Sequence, residues 1–190
     1  MKNKTVGFAV CGSFCTFGKV LEQLQNLKSA GFEIIPIMSY NAYNTDTRFG
    51  TAISFIEKME NITGNQVISS LVDAEPIGPR KMLDLLIVAP CTGNTLAKLA
   101  AGIADTPVTL AVKSQLRNAR PVLIGISTND GLCAAAANIG TLLTRKNYYF
   151  IPYRQDDCIN KPTSLVADFS LLLPCVNAAL SEQQLQPILR

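Results

Sequence analysis

The chain is 190 residues and 20.5 kDa, 48% hydrophobic and 16% charged, a balance that suits one folded domain and excludes a disordered or charged-repeat chain. Seventeen Lys and Arg against fourteen Asp and Glu leave +3, too small and too scattered to build a nucleic-acid surface. Histidine is absent altogether, which removes Ser-His-Asp and Cys-His catalysis, imidazole acid–base chemistry and every His-containing metal site.

Thr5–Cys11 is a β-branched, apolar run that stops at Gly12-Ser13 and predicts a strand. Phe17, Val20, Leu21, Leu24 and Leu27 then recur at helical spacing, with Gly31 as the stop. Glu33–Met38 predicts a second strand, Ser39–Thr47 a polar loop, and Ala52, Ile53, Ile56 and Met59 a second helix ending near Thr63-Gly64. A short strand fits Val67–Ile68, and Asp73–Arg80, with Pro76, Gly78 and Pro79, reads as a loop.

Leu83–Ala89 is almost continuously apolar, as a strand covered on both faces must be. Thr95–Ala104 predicts a helix, and Asp105-Thr106-Pro107 supplies a cap and a first-turn proline for another that reaches Asn118. Val122–Ile126 is a further buried strand, Ala134–Arg145 a helix, Tyr148–Pro152 a last strand, and 163–190 a C-terminal helical segment. The alternation predicts a single domain over 1–190, a three-layer αβα doubly wound parallel sheet. No stretch is long and apolar enough for a membrane span, and the start lacks the layout of a signal peptide. The six cysteines, with no CxxC pair, are therefore expected as buried or semi-buried free thiols in a reducing, cytoplasmic setting.

Ligands of such sheets bind beyond the carboxyl ends of the strands. Four of those ends carry small or hydroxylated residues: Gly12-Ser13, Ser39, Thr92-Gly93-Asn94-Thr95 and Ser127-Thr128-Asn129. The first turn is not GxGxxG, and the second strand ends without an acid for an adenosine ribose, so NAD is disfavoured. GxxxxGK[ST] is also missing. Helix-start amides and hydroxyls can still hold one phosphate, and Phe14, Phe17, Tyr40 and Tyr43 are near enough in sequence to wall a ring, with core packing the competing role for Phe17. A mononucleotide such as FMN fits this inventory. Cys91, at a strand end, is either reactive or a packed small residue, and Lys113 and Arg117 form a solvated helix face.

Pro90-Cys91-Thr92-Gly93-Asn94-Thr95, with the LAKLAAGIADTPV that follows, resembles the PASANT loop of the flavin-containing cysteine decarboxylase family, which includes phosphopantothenoylcysteine decarboxylase and the flavin prenyltransferases. Thr5 to Pro152 is covered by that resemblance, which implies a Rossmann-like flavoprotein fold. The segments SYNAYNTDTRFG, AEPIGP, APCTGNTLAKLA, STNDGL and KNYYFIPYRQDD…KPTSLVAD resemble, more specifically, the dipicolinate synthase B subunits of spore-forming bacteria.

The resemblance implies conversion of a dihydrodipicolinate-type precursor to dipicolinate during sporulation, in the mother cell. It implies joint action with the separate, nicotinamide-dependent A subunit of dipicolinate synthase, and little activity without it. It implies FMN facing Gly12, Ser13, Ser39, Thr92, Asn94 and Thr95, with Thr128 and Asn129 beside it, Asn94 as the candidate catalytic group, and a homo-oligomer. Two departures argue against decarboxylation of a cysteine substrate: the family's histidine is missing, and Thr163–Asp168 stands where the family has a cysteine-bearing clamp. A planar dicarboxylate calls for an Arg fork. Arg48 and Arg154 are the candidates, with Lys161 beside the latter; no metal is expected. The alternatives are a prenyltransferase or decarboxylase-like enzyme using FMN, for which Tyr153 and Arg154 would serve a second phosphate, and a non-catalytic partner subunit.

Overall fold

In the computed structural model, which describes residues 4–190, the apolar runs become five parallel strands. They are β1 (Thr5–Val10), β2 (Glu33–Met38), β3 (Leu85–Cys91), β4 (Val122–Thr128) and β5 (Tyr148–Phe150), laid side by side as β2-β1-β3-β4-β5. Every residue of β3 is buried, because helices cover both faces of a strand at the centre of the sheet. Its ladder to β4 shifts register between Val88 and Cys91, around Pro90, which has no N–H to donate.

The helices fall into two groups that pack among themselves and form the outer layers. One holds α1 (Phe17–Ser29), α2 (Tyr40–Asn44), α3 (Ala52–Thr63) and α8 (Leu172–Leu180). The other holds α4 (Leu71–Ala74), α5 (Gly93–Ala101), α6 (Pro107–Arg117) and α7 (Ala136–Leu143). The three-layer doubly wound architecture expected from the alternation is therefore present. Start signals behave as expected at α6, where Thr106 and Thr109 form a reciprocal capping box across the first-turn Pro107, and Gly64 closes α3 in the left-handed conformation at φ 75°.

Four expectations are corrected. The loop Ser39–Thr47 contains α2, and the expected loop Asp73–Arg80 begins inside the short α4 and continues as a 3-10 turn at Glu75–Ile77; both helices start at a serine cap rather than at an apolar periodicity. Tyr148–Pro152 is not the last strand. Tyr153–Asp157 (β6) and Lys161–Ala167 (β7) form an antiparallel ribbon, so 163–167 is strand, and helical structure begins only with the 3-10 turn at Phe169. The ribbon joins the sheet where β4 outlasts β5: Val122–Ile124 pair with β5, while Ser127 and Thr128 pair antiparallel with Val166 and Leu165 of β7. No helix is long and apolar enough to cross a membrane among the described residues.

Candidate functional site

The carboxyl ends of β1, β3 and β4 meet at one edge of the sheet, and side-chain hydrogen bonds tie them together. Ser13, in the turn after β1, shares a 2.7 Å hydroxyl–hydroxyl bond with Ser127 at the end of β4. Thr92 caps α5, accepting from the Thr95 backbone N–H at 3.4 Å, and its hydroxyl lies 3.2 Å from that of Thr95. The Thr95 hydroxyl donates onward to Cys11 Sγ at 3.3 Å, so the Thr92 proton goes to Thr95 and the two threonines form a relay pointing into the core. Ser39 caps α2, accepting from Ala42 N–H at 3.3 Å, which leaves its own proton to donate.

Gly93, the first residue of α5, lies under Asp130. A Cβ there would stand 2.7 Å from Asp130 Oδ1 and 2.8 Å from Thr128 Oγ1, so only glycine lets the carboxylate settle over the start of α5. Thr128 donates its hydroxyl to that same Asp130 oxygen.

Two adjoining cavities open at this edge, about 1120 Å³ and about 320 Å³, and Gly12 and Thr92 line both. Ser13, Thr128, Asn129, Arg48 and Arg154 line the larger. Ser39, Asn94 and Thr95 line the smaller, with Tyr40, Asn41, Lys98 and Thr106. The expected cofactor residues are thus brought to one edge but divided between two spaces, and Asn94 lines a different one from both arginines. Asn94 is exposed on the first turn of α5 and makes no side-chain hydrogen bond with a described residue.

The β6–β7 ribbon, unforeseen in the sequence, forms a wall of the larger cavity through Arg154, Asp156, Lys161 and Ser164–Ala167. Lys161 is held by Asp156 at 3.0 Å across the ribbon, and that hydrogen bond is the main cause raising its pKa above the usual lysine value. Asp168 accepts from the Ser170 hydroxyl and from Arg190 at 3.0 Å, which holds its carboxyl below the usual range. Lys19, Arg48 and Arg154 form no ion pair with a described residue, and the Arg48 guanidinium stacks 4.9 Å from the Phe49 ring centre.

Of the aromatics expected around a ring, Phe14 lines the larger cavity and Tyr40 the smaller. Phe17 is in the core, edge-on to Phe55 at 4.8 Å, and Tyr43 packs partly buried against the core. Tyr153 is 5% exposed and lines neither cavity, so it offers no hydroxyl to a second phosphate there. All six cysteines are free, as expected, but Cys15, Cys133 and Cys158 are exposed rather than buried. Burial raises the Cys11 thiol to about 11 and pushes Cys91 well above its ordinary value, so Cys91 is a packed neutral thiol. No cluster with metal-ligand character exists among the described residues.

Asp130, Lys19 and Phe49 line the site without having been singled out from the sequence. For Asp130 the signal was present, since it directly follows the Ser127-Thr128-Asn129 run at a buried strand's end.

The model of the family described as flavoprotein matches residues 1–142. The B subunit of dipicolinate synthase from Bacillus subtilis (strain 168) is 45% identical over 189 residues, covering 100% of this chain and 94% of that protein. The crystal structure of the dipicolinate synthase B subunit from Bacillus halodurans superposes with a TM-score of 0.90 at 43% identity, covering 98% of this chain and 96% of that one. Burkholderia xenovorans DmrB in complex with FMN, at 18% identity and a TM-score of 0.70 over 95% of this chain and 97% of that one, shares the fold.

Proposed function

This chain belongs to the flavoprotein family, and from that premise we propose that it is the B-type subunit of a dipicolinate-forming oxidoreductase. It acts with the separate, nicotinamide-dependent A subunit, in the mother cell of a sporulating bacterium. The observation that supports this reading most directly is the full-length likeness to a dipicolinate synthase B subunit, 45% identical over 189 residues. The site agrees with it: guanidinium groups that form no ion pair among the described residues line a cleft large enough for a small dicarboxylate, beside a space rich in hydroxyl and amide donors.

The residues present fit FMN. Ser39 keeps a free hydroxyl proton and Asn94 a free amide, which would hold the phosphate end, while Thr92 and Thr95 hold the loop through their inward relay. Gly12, Ser13, Thr128 and Asn129 would lie beside the rest of the cofactor. Bound FMN supplies a two-electron acceptor for the two hydrogens that a dihydro ring loses on becoming aromatic.

Arg48 and Arg154 bind the two carboxylates and set the plane of the ring. Asn94, in the cavity that neither arginine lines, serves as a cofactor-holding residue in place of the expected catalytic one, its amide able to donate and accept at the start of α5. The chain works as a homo-oligomer.

The test is a flavin titration followed by an activity assay. The purified chain is expected to change the absorption and fluorescence of added FMN. Given a dihydrodipicolinate-type precursor and the A subunit, it should form dipicolinate, and by itself little or none. Unchanged flavin fluorescence at high micromolar FMN removes the cofactor, and robust turnover by this chain without a second protein removes the shared activity.

A further inference from the structure

We propose that Arg190, which lies outside the larger cavity, is the residue that makes that cavity cationic toward a dicarboxylate. It is a positioning residue that acts through Asp168. The inference rests on the dicarboxylate reading of the cavity and adds to it the source of the net charge.

Charged side chains of both signs line the cavity. Lys161 is matched by Asp156 at 3.0 Å across the ribbon. That leaves Lys19, Arg48 and Arg154 against Glu22, Asp130 and Asp168, three charges of each sign. The lining alone is therefore neutral, and its carboxylates offset the pull of the two arginines on a dianion.

Arg190 is not part of that lining, yet its guanidinium donates to Asp168 Oδ2 at 3.0 Å. The Asp168 side chain is 23% exposed, so the pairing acts where water screens a charge less than at the open surface. Counted with the lining, Arg190 leaves the cavity one charge positive. Two backbone bonds set its place. Tyr153 N–H donates to Ile188 C=O at 3.0 Å, and Arg190 N–H donates to Tyr153 C=O at 3.1 Å. Tyr153 directly precedes Arg154 on β6, so the segment that brings Arg190 to Asp168 is tied to the strand that presents Arg154.

Breaking the pair from its two ends has opposite electrostatic consequences. Arg190→Gln leaves Asp168 as an uncompensated anion in the cavity wall. Asp168→Asn removes the anion and frees a cation, while the asparagine oxygen can still accept from the Ser170 N–H that Asp168 caps.

The experiment measures dipicolinate binding by calorimetry in metal-free buffer for the wild-type chain, Arg190→Gln, Asp168→Asn, the double variant and Arg190→Lys. Arg190→Gln is expected to weaken binding about fivefold and Asp168→Asn to strengthen it by a similar factor. The double variant should return close to wild type, and Arg190→Lys should keep most of the affinity. Misfolding or a displaced wall would weaken both single variants, so opposed shifts cannot arise from either. Single variants that shift in the same direction, only one at a time or not at all overturn the role of Arg190. A double variant that does not return toward wild type, or an Arg190→Lys as weak as Arg190→Gln, overturns it too. In each of these cases binding to the wild type leaves the dicarboxylate reading standing. If dipicolinate does not bind the wild type, that reading fails and the inference with it.

Discussion

Arg48 and Asn94 line different cavities, so their variants should separate the two ligands. Arg48→Ala is expected to weaken dicarboxylate binding roughly ten- to a hundredfold, the effect of losing a charged hydrogen bond, and to leave FMN binding alone. Its side chain is exposed, so the melting temperature should stay close to wild type, in line with a cost within about 0.5 kcal/mol. Asn94→Ala should do the reverse, weakening FMN and sparing the dicarboxylate; parallel titrations of both variants decide it. The thiols give a second outcome at this scale. A disulfide-exchange reagent should label Cys15, Cys133 and Cys158 quickly and reach Cys11, Cys91 and Cys175 only on unfolding, as their burial requires. Fast native labelling at Cys91 would reverse the assignment of that residue to the core. Strand-end chemistry made Ser39, Thr92 and Thr128 legible in the sequence because small hydroxylated residues interrupt apolar runs there. It did not reveal that the Thr95 hydroxyl turns inward to Cys11, since a cap, a relay and a ligand contact all call for the same residue type.

At the scale of the element, the parallel strands were legible because burial on both faces leaves a continuous apolar run, as in Leu85–Cys91. The β6–β7 ribbon was not. Tyr153–Asp157 is YRQDD, largely exposed, and Lys161-Pro162 opens β7 with two exposed residues, so the apolar alternation that marks a half-buried strand is confined to its last few residues. What holds the ribbon is packing that periodicity does not display: Leu165 lies over Gly131, where an added Cβ would stand 2.6 Å from Leu165 Cγ. Gly131→Ala should therefore push the ribbon off β4 at a cost of about 1–3 kcal/mol. Hydrogen exchange should quicken across Lys161–Ala167 and stay slow in β1 and β3; equal protection of the ribbon in both proteins would show that another contact anchors it.

For the whole molecule, the absence of histidine moves the pH response out of the neutral range and into the alkaline one. Burial lifts Cys11 from 9.0 to about 11, Cys175 from 9.0 to about 12 and Tyr148 from 10.0 to about 12, with Cys91 also raised. The folded chain then keeps protons that the unfolded chain releases above about pH 9, so stability is fully present below that value and falls as pH rises through the folded pKa values. Melting temperatures should be flat from neutral pH up to about pH 9 and decline steeply toward about pH 11; a flat profile over that whole span would mean that these groups ionise in place. The ribbon departs from the parallel core after Pro152, and the chain comes back to that point at Asp168 before it enters α8. Asp168 N–H donates to Pro152 C=O at 2.8 Å, so the two ends of the excursion are stitched together and the parallel core closes beneath it. An excursion whose ends already meet can be lengthened, shortened or exchanged without re-threading the fold. Natural variation, or an engineer, can thus rewrite one wall of the cleft as a cassette while the framework that bears the rest of the site stays fixed.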